Sequence, residues 1–443
     1  MRLLLLLILA AFLSLLPNLN AFPFRGEEAT RAIVAFEMAH SGKYFQPTIL
    51  GEPYFNKPPL FNWLIVLYAK LLGWDVVTAR AVSVTFTFLN GLLVALLLLS
   101  LGLKPEKALL GFLAFVTLAD VLFWYGWLAE IDVTLTFFTF LLFLSLWRYR
   151  ETRRLGYLYA ASLLTGVTFM LKGFPAFAFF GLSLLALAVY ERRFLFLFSR
   201  SFLAAYALAL VSSLWWLPLS DYPLLYLKTL WRESFSRVES SKDAYAFLKH
   251  LITYPLLNFK QLLPLSPFVL YALWRYRPAL DRPYRFFALL AGFNYLPYLL
   301  SAASRGRYVL PLFPLVTVIG VKLLKERLVK LFLLAVGVAV LLRLLFGLFY
   351  LPYLNEKRGK PKEKAYELAK LVEGHEVACN CPKDFCLYLD FYLGRPLYKE
   401  RLVPGWRYLV DCKERPFKLV RRYRLGSKEV FVYERAVGAA GAN

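Results

Sequence analysis

Apolar residues dominate the first 350 or so positions and come in runs, separated by short stretches rich in lysine and arginine. A helix needs roughly 20 apolar residues to cross about 30 Å of hydrocarbon. Runs of that order fall near 2–21, 78–102, 107–126, 130–148, 155–172 and 174–190, and again near 200–218, 256–275, 283–303, 306–323 and 328–351. The pattern predicts a polytopic α-helical membrane protein with about 11 to 13 transmembrane helices. The opening run reads as an uncleaved first span rather than a leader, because no small-x-small cleavage site follows it.

The charges between the runs orient them. With the N-terminus in the cytoplasm, the inside loops carry Lys104 and Lys107, then Arg148, Arg150, Arg153 and Arg154, then Arg192 and Arg193. Arg275, Arg277, Arg282 and Arg285 come next, followed by Lys322, Lys325, Arg327 and Lys330. Every short inside loop is then basic, as the positive-inside rule requires, and the opposite orientation breaks the rule at each of them.

Three segments are left outside: 22–77, 219–255 and the chain from 353 onward. In the first, EEATRAIVAFEMAHS (27–41) predicts a short helix ended by Gly42, too polar to span. Residues 59–73 are apolar but short and begin with proline, which suits a helix lying at the interface. Residues 1–352 therefore read as one transmembrane domain. Residues 353–443 read as a small extracytoplasmic α/β domain, with a helix in KEKAYELAKLVEG and strands in EVAC, RYLVDC and EVFVYE.

Composition changes this picture little. The 443 residues are 59% hydrophobic and 18% aromatic, outside the range of a soluble domain. A formal net charge of +24 would suggest nucleic acid in a soluble protein; here the basic loops account for it, and no nucleic-acid partner is expected. All four cysteines (Cys379, Cys381, Cys386 and Cys412) lie in the last segment, which points to a disulfide outside the cytoplasm. A metal site and four free thiols are the other readings.

Charged residues at a membrane surface are costly, so they mark candidate chemistry. The predicted topology places four groups on the outer face. The first is Glu27–Glu28, where helix N-terminal acids and a Glu27–Arg31 pair are the plain structural explanation. The second is Lys57 in NKPPL, where Pro58 and Pro59 remove backbone donors and fix the chain direction, aiming one cation at one place. The third is Glu130 and Asp132, the latter opening an apolar run. The last comprises Lys172 in MLKGFP with Arg305 and Arg307 in SRGRYVLPLFP; snorkelling anchors are the alternative for these. Carboxylates can act as a general base and lysine or arginine can bind phosphate, which together suggest group transfer from a lipid phosphate.

The same residues carry a resemblance. EEATRAIVAFEM followed by GKYFQPTILGEPYFNKPPLFNWL resembles the first outer loop of GT-C glycosyltransferases, in the protein-mannosyltransferase-like branch that includes the lipid A aminoarabinose transferases. IDVTLTFF, LKGFP and RYVLPLFP resemble further motifs of that branch, in the same order. The resemblance implies a GT-C-like fold and sugar transfer from a polyprenyl-phosphate donor to an envelope acceptor: a lipid A-like glycolipid, a glycan or a protein. It implies a single inverting displacement on the outer side of a bacterial inner membrane. Glu27 matches the acid that activates the acceptor, with Glu28 sharing or supporting that role, and Asp132 the acid that shapes the site. Lys57, Arg307, Lys172 and Arg31 match the donor-phosphate set. Tyr54, Pro58 and Tyr308 fall inside the matched motifs as substrate-cavity residues.

This chain departs from the pattern at three places. Glu27 replaces the usual aspartate, and Thr30 stands where an arginine is usual, with Arg31 beside it. Asn56 replaces a glutamate used in the lipid A branch for a metal site; with only His40, His250 and His375 available, a divalent metal stays open as cofactor but gains no assigned ligands. The chain reads as a monomer. The rival reading is a transporter or flippase for a lipid-linked or anionic substrate, which predicts charged or broken helices at mid-membrane and often an internal repeat.

Overall fold

The computed structural model describes residues 1–239, 244–381 and 383–435; residues 240–243 of the second outer segment lie outside that set. Apolar helices follow one another along the chain: α1 (Arg2–Ala21), α2 (Glu28–Ser41), α3 (Leu60–Leu72), α4 (Val76–Ser100), α5 (Pro105–Val116), α6 (Asp132–Thr152) and α7 (Leu155–Lys172). Then come α8 (Pro175–Glu191), α9 (Arg200–Leu214), α10 (Pro223–Glu239), α11 (Ala244–Gln261), α12 (Leu265–Tyr276) and α13 (Arg282–Leu299). The remainder are α14 (Phe313–Leu323), α15 (Glu326–Leu345), α16 (Leu351–Lys357), α17 (Pro361–Val372) and α18 (Lys383–Leu393).

Helix occupies every window expected from the hydrophobic pattern, with two interruptions. The run near 107–126 breaks after α5 and resumes as a π-turn at Val121–Tyr125. The run near 256–275 divides into α11 and α12, bent by 111° at Pro264, whose missing N–H cannot continue the helix ladder. Among the described residues, five helices are long and apolar enough to cross a membrane, or six if that bent pair counts as one span. Others fall short for plain reasons: α8 has 17 residues, and α6 ends in a charged turn at Arg148–Thr152.

The chain forms two compact units. The first comprises Met1–Leu15, Phe55–Phe61 and Ser83–Arg343; the second comprises Leu16–Tyr54, Asn62–Val82 and Leu344–Asn443. In the first, α6 packs on α7, α7 on α9, α8 on α13 and α5 on α14. Phe140, Leu142, Phe143 and Leu146 of α6 are fully buried there. Asn90 ties α4 to α6 by donating to the carbonyl of Val133 at 3.0 Å, and Thr87 donates to the carbonyl of Gly126 at 2.8 Å.

The second unit holds α2, which ends at Gly42 with φ +70° as the sequence predicted. A hairpin of β1 (Thr48–Ile49) and β2 (Glu52–Pro53) follows, turning through Leu50 and Gly51, both at positive φ. Buried Glu37 holds that turn: it accepts from the Thr48 hydroxyl at 2.5 Å, the Leu50 N–H at 2.5 Å and the Gly51 N–H at 3.2 Å. Burial outweighs these donors and raises the Glu37 pKa. The same unit carries a four-stranded sheet, β3 (Val377–Cys379), β4 (Tyr408–Asp411), β5 (Lys418–Leu425) and β6 (Lys428–Glu434), in the order β3-β4-β6-β5. The strands expected from EVAC, RYLVDC and EVFVYE are β3, β4 and β6. Sequence reading did not anticipate α18, or β5, whose residues are more charged. Cys379 and Cys386 form a disulfide, while Cys381 and Cys412 are free thiols.

Candidate active site

In the first unit, three elements bring opposite charges together. Asp132 begins α6, where the positive end of the helix dipole favours a carboxylate. Lys172 ends α7, and its ammonium donates to Asp132 Oδ1 at 2.8 Å. Arg307 enters on the turn Gly306–Leu312; it donates to Glu130 Oε2 at 2.9 Å and lies 3.8 Å from Asp132 Oδ2. Lys172 also sits 4.9 Å from the centre of the Tyr308 ring. Two acids and two cations thus share one partly buried cluster, in which no charge needs bulk water for its partner.

Lys57 belongs to the same unit. Buried Pro58 and Pro59 lie directly between it and α3. The Tyr226 hydroxyl donates to the Lys57 carbonyl at 2.7 Å, and the Phe55 ring packs against Tyr226 at 4.8 Å. Its ammonium lies 3.9 Å from Glu233 Oε2 on α10. The NKPPL backbone is therefore clamped while the cation remains partly accessible. A cavity of about 160 Å³ is lined by Lys57, Lys172, Tyr308, Glu233, Ser301 and Ser304, among others. The structure thereby puts two of the four expected phosphate-binding cations on one cavity wall, with hydroxyls beside them. Arg307 reaches Glu130 and Asp132 but is not among the lining residues.

In the second unit, the paired acids part company. The Glu28 side chain is wholly buried and bidentate to Arg80 of α4, with Nε–Oε1 2.8 Å and Nη2–Oε2 2.9 Å. Arg80 also donates to the carbonyls of Phe22 at 2.8 Å and Leu19 at 3.1 Å. Glu28, given a sharing or supporting role beside Glu27 by the motif, thus lies buried in a pair with Arg80. Glu27 is different: its side chain is 48% exposed, with Arg31 at 3.5 Å. Arg31, expected in the donor-phosphate set, is itself buried and donates to the Tyr54 hydroxyl at 3.1 Å.

Sequence reasoning passed over Glu233, Arg80 and Arg343. An arginine within an apolar span was signal enough for the last two. Arg343, buried in α15, donates to the carbonyl of Leu122 at 2.6 Å and faces the Trp127 ring at 5.3 Å. Glu233 had a weaker signal: one acid in the aromatic stretch WRESF. Among the described residues no three His, Cys, Asp or Glu side chains are grouped to hold a metal ion, and His40 and His250 engage the carbonyls of Phe36 and Tyr298.

Comparison with known proteins finds relatives for the chain. Residues 56–216 match the family described as dolichyl-phosphate-mannose-protein mannosyltransferase. An undecaprenyl phosphate-alpha-4-amino-4-deoxy-L-arabinose arabinosyl transferase of Pseudomonas savastanoi pv. phaseolicola is 31% identical over 194 residues, covering 42% of this chain and 36% of that protein. The protein of the same name from Pseudomonas aeruginosa strain LESB58 is 28% identical over 390 residues, covering 82% of this chain and 67% of the relative. The chain thus spans between about a third and two thirds of the curated relatives it matches. The crystal structure of ArnT from Cupriavidus metallidurans bound to undecaprenyl phosphate superposes with a TM-score of 0.76 at 17% identity, covering 100% of this chain and 99% of that one. Its apo form gives 0.69 at 16% identity. The fold expected from the sequence, a polytopic GT-C-like helical membrane protein with a small C-terminal α/β domain, is the fold found, and the family resemblance read from the outer-loop motifs is shown. The chain is a multi-pass membrane protein.

Proposed function

From that likeness we propose that this chain is a membrane glycosyltransferase. It moves a sugar from a polyprenyl-phosphate donor to an envelope acceptor, at the outer side of a bacterial inner membrane. The donor class follows the relatives, whose names specify undecaprenyl phosphate carrying an amino-arabinose. The observation that carries the reading is the cavity walled by Lys57 and Lys172. Two ammonium groups with serine and tyrosine hydroxyls at one small opening suit a phosphate, and the charge-assisted contacts strengthen as the leaving group gains charge.

The proposed step is one displacement at the anomeric carbon. The acceptor oxygen forms the new bond to that carbon as the bond to the phosphate oxygen breaks, and the phosphate departs with the electron pair. Glu27 takes the acceptor proton. Lys57 and Lys172 stabilise the departing phosphate. Asp132 and Glu130 hold Lys172 and Arg307 in place, so that these cations are oriented before the donor arrives. A single attack inverts the anomeric configuration.

The test separates three outcomes in one preparation. The purified chain is titrated with polyprenyl-phosphate sugar, and polyprenyl phosphate release is followed with acceptor present. Lys57→Ala is expected to weaken donor binding about tenfold to a hundredfold, the loss of one charge-assisted contact. Donor binding without any release, even with envelope extract as acceptor, would favour a flippase. No donor binding would overturn the proposal.

A further inference from the structure

The sheet-bearing part of the second unit holds two thiols, Cys381 and Cys412, beside its disulfide, and the donor step uses neither. Strand pairing brings them together. β3 and β4 run parallel with Cys379 opposite Val410, and the Asn380 N–H donates to the Val410 carbonyl at 2.8 Å. Continuing that register by two residues sets Cys381 beside Cys412. Neighbouring strands lie about 4.8 Å apart, inside the roughly 4.4–6.8 Å between Cα atoms that a disulfide needs. The two sulfurs are 2.7 Å apart.

Both sides of this contact are held in place. Cys381 lies inside the loop that the Cys379–Cys386 disulfide closes, and it is buried. On the facing strand, Asp411 accepts the backbone N–H groups of Cys412 at 2.7 Å and Lys413 at 3.1 Å. It also accepts from Arg415 Nε at 2.8 Å and from the Asn380 side-chain amide at 3.2 Å. Asn380 thereby ties the segment carrying Cys381 to the segment carrying Cys412.

The two thiols are unequal. Cys412 is half-buried, whereas Cys381 is buried. The hydrogen bond from Cys381, with Lys428 nearby, lowers the Cys412 pKa against burial and the carboxylates of Asp411 and Asp384. Burial, and then Cys412 itself, raise the pKa of Cys381. Thiolate character and access together select the attacking sulfur in thiol–disulfide exchange, and both favour Cys412.

We propose that Cys381 and Cys412 are an oxidisable pair, a modification site at which a disulfide oxidant closes a second bridge. The Cys412 thiol gives its proton to water, and its thiolate attacks one sulfur of the oxidant, whose other sulfur leaves with the electron pair. Cys381 passes its proton to that leaving thiolate and attacks the Cys412 sulfur. The second oxidant sulfur departs and takes a proton from water. Two thiols become one disulfide, and the oxidant disulfide becomes two thiols. The bridge joins residues 31 positions apart and ties the Cys379–Cys386 loop, with the start of α18, to β4. The outer location proposed for this part of the chain is a compartment that supplies such oxidants. The chemistry itself is independent of the transferase reading.

The full chain in detergent is incubated with oxidised glutathione, remaining thiols are blocked with N-ethylmaleimide, and peptides are mapped by mass spectrometry without reduction. The expected result is Cys381 linked to Cys412, neither carrying the blocking group, with Cys379 still linked to Cys386. Blocking groups on both thiols, or Cys381 linked to Cys379 or Cys386, overturns the proposal. The wild-type chain decides this without any variant having to fold. Single variants read the order of attack. Cys381→Ser is expected to stop at a glutathione adduct on Cys412, formed at least tenfold faster than the adduct on Cys381 in Cys412→Ser. Equal rates, or the reverse order, overturn Cys412 as the attacking sulfur.

Discussion

At the scale of single residues, adjacent positions of like chemistry have opposite fates. Glu27 and Glu28 are chemically identical in the sequence, yet one is half exposed and the other is sealed against Arg80. Rotation by about 100° per residue along a helix start is enough to send one side chain outward and the next inward. Glu27→Gln keeps size and hydrogen bonding but removes basicity, so transfer is expected to fall by about two to four orders of magnitude while folding is unchanged. Transfer at the wild-type rate would end the assignment of Glu27 as base. Glu28→Gln is expected to do the reverse. Breaking a buried ion pair leaves Arg80 without its counter-charge, at a cost of about 3–5 kcal/mol. Its thermal unfolding midpoint should drop well below that of Glu27→Gln, in the same detergent.

At the scale of elements, the devices that aim residues are helix ends and proline steps. Asp132 opens α6, Lys172 closes α7, and Lys57 precedes the Pro58–Pro59 step into α3. Replacing Lys172 by methionine keeps the stem and deletes the charge. Both donor affinity and transfer are expected to fall, while Lys172→Arg recovers part of the affinity; no loss in the methionine variant would exclude Lys172 from the phosphate set. In the sheet-bearing part of the second unit, the Cys379–Cys386 disulfide closes a short loop between β3 and α18, with the two cysteines seven positions apart. A loop that short contributes about 2–3 kcal/mol on the chain-entropy account. Reduction, or Cys379→Ser, is expected to increase protease cutting near α18, read by mass spectrometry of the fragments.

At the scale of the whole molecule, the net charge of +24 is arranged more than it is accumulated: the basic loops alternate with apolar helices in the order a fixed orientation needs. That orientation, N-terminus inside and sheet-bearing end outside, makes a checkable expectation. A phosphatase reporter that works only outside the cytoplasm should be active when joined after Arg435 and silent in the Lys104–Lys107 loop. The reverse pattern would invert the proposed topology and remove the outer-face site with it.

Sequence alone determined the features that depend on local pattern. Long apolar runs, the Gly42 helix stop, the strands β3, β4 and β6, and the outer-loop motifs all rest on periodicity and composition within a few residues, and each was legible. Tertiary structure decided the rest, because burial and charge pairing depend on which distant segments meet. Nothing in LAEID, MLKGFP or SRGRY says that Lys172 chooses Asp132 or that Arg307 chooses Glu130. Nothing near RGEEATR announces Arg80, 52 positions on from Glu28, as the partner that Glu28 meets in the fold. Glu233 carries no local signature either, for a solvated charge and a cavity wall have the same one-dimensional spelling. Residues were nominated by their chemical type; their roles were set by the low-dielectric surroundings in which only paired charges persist, and those exist only once the chain has folded.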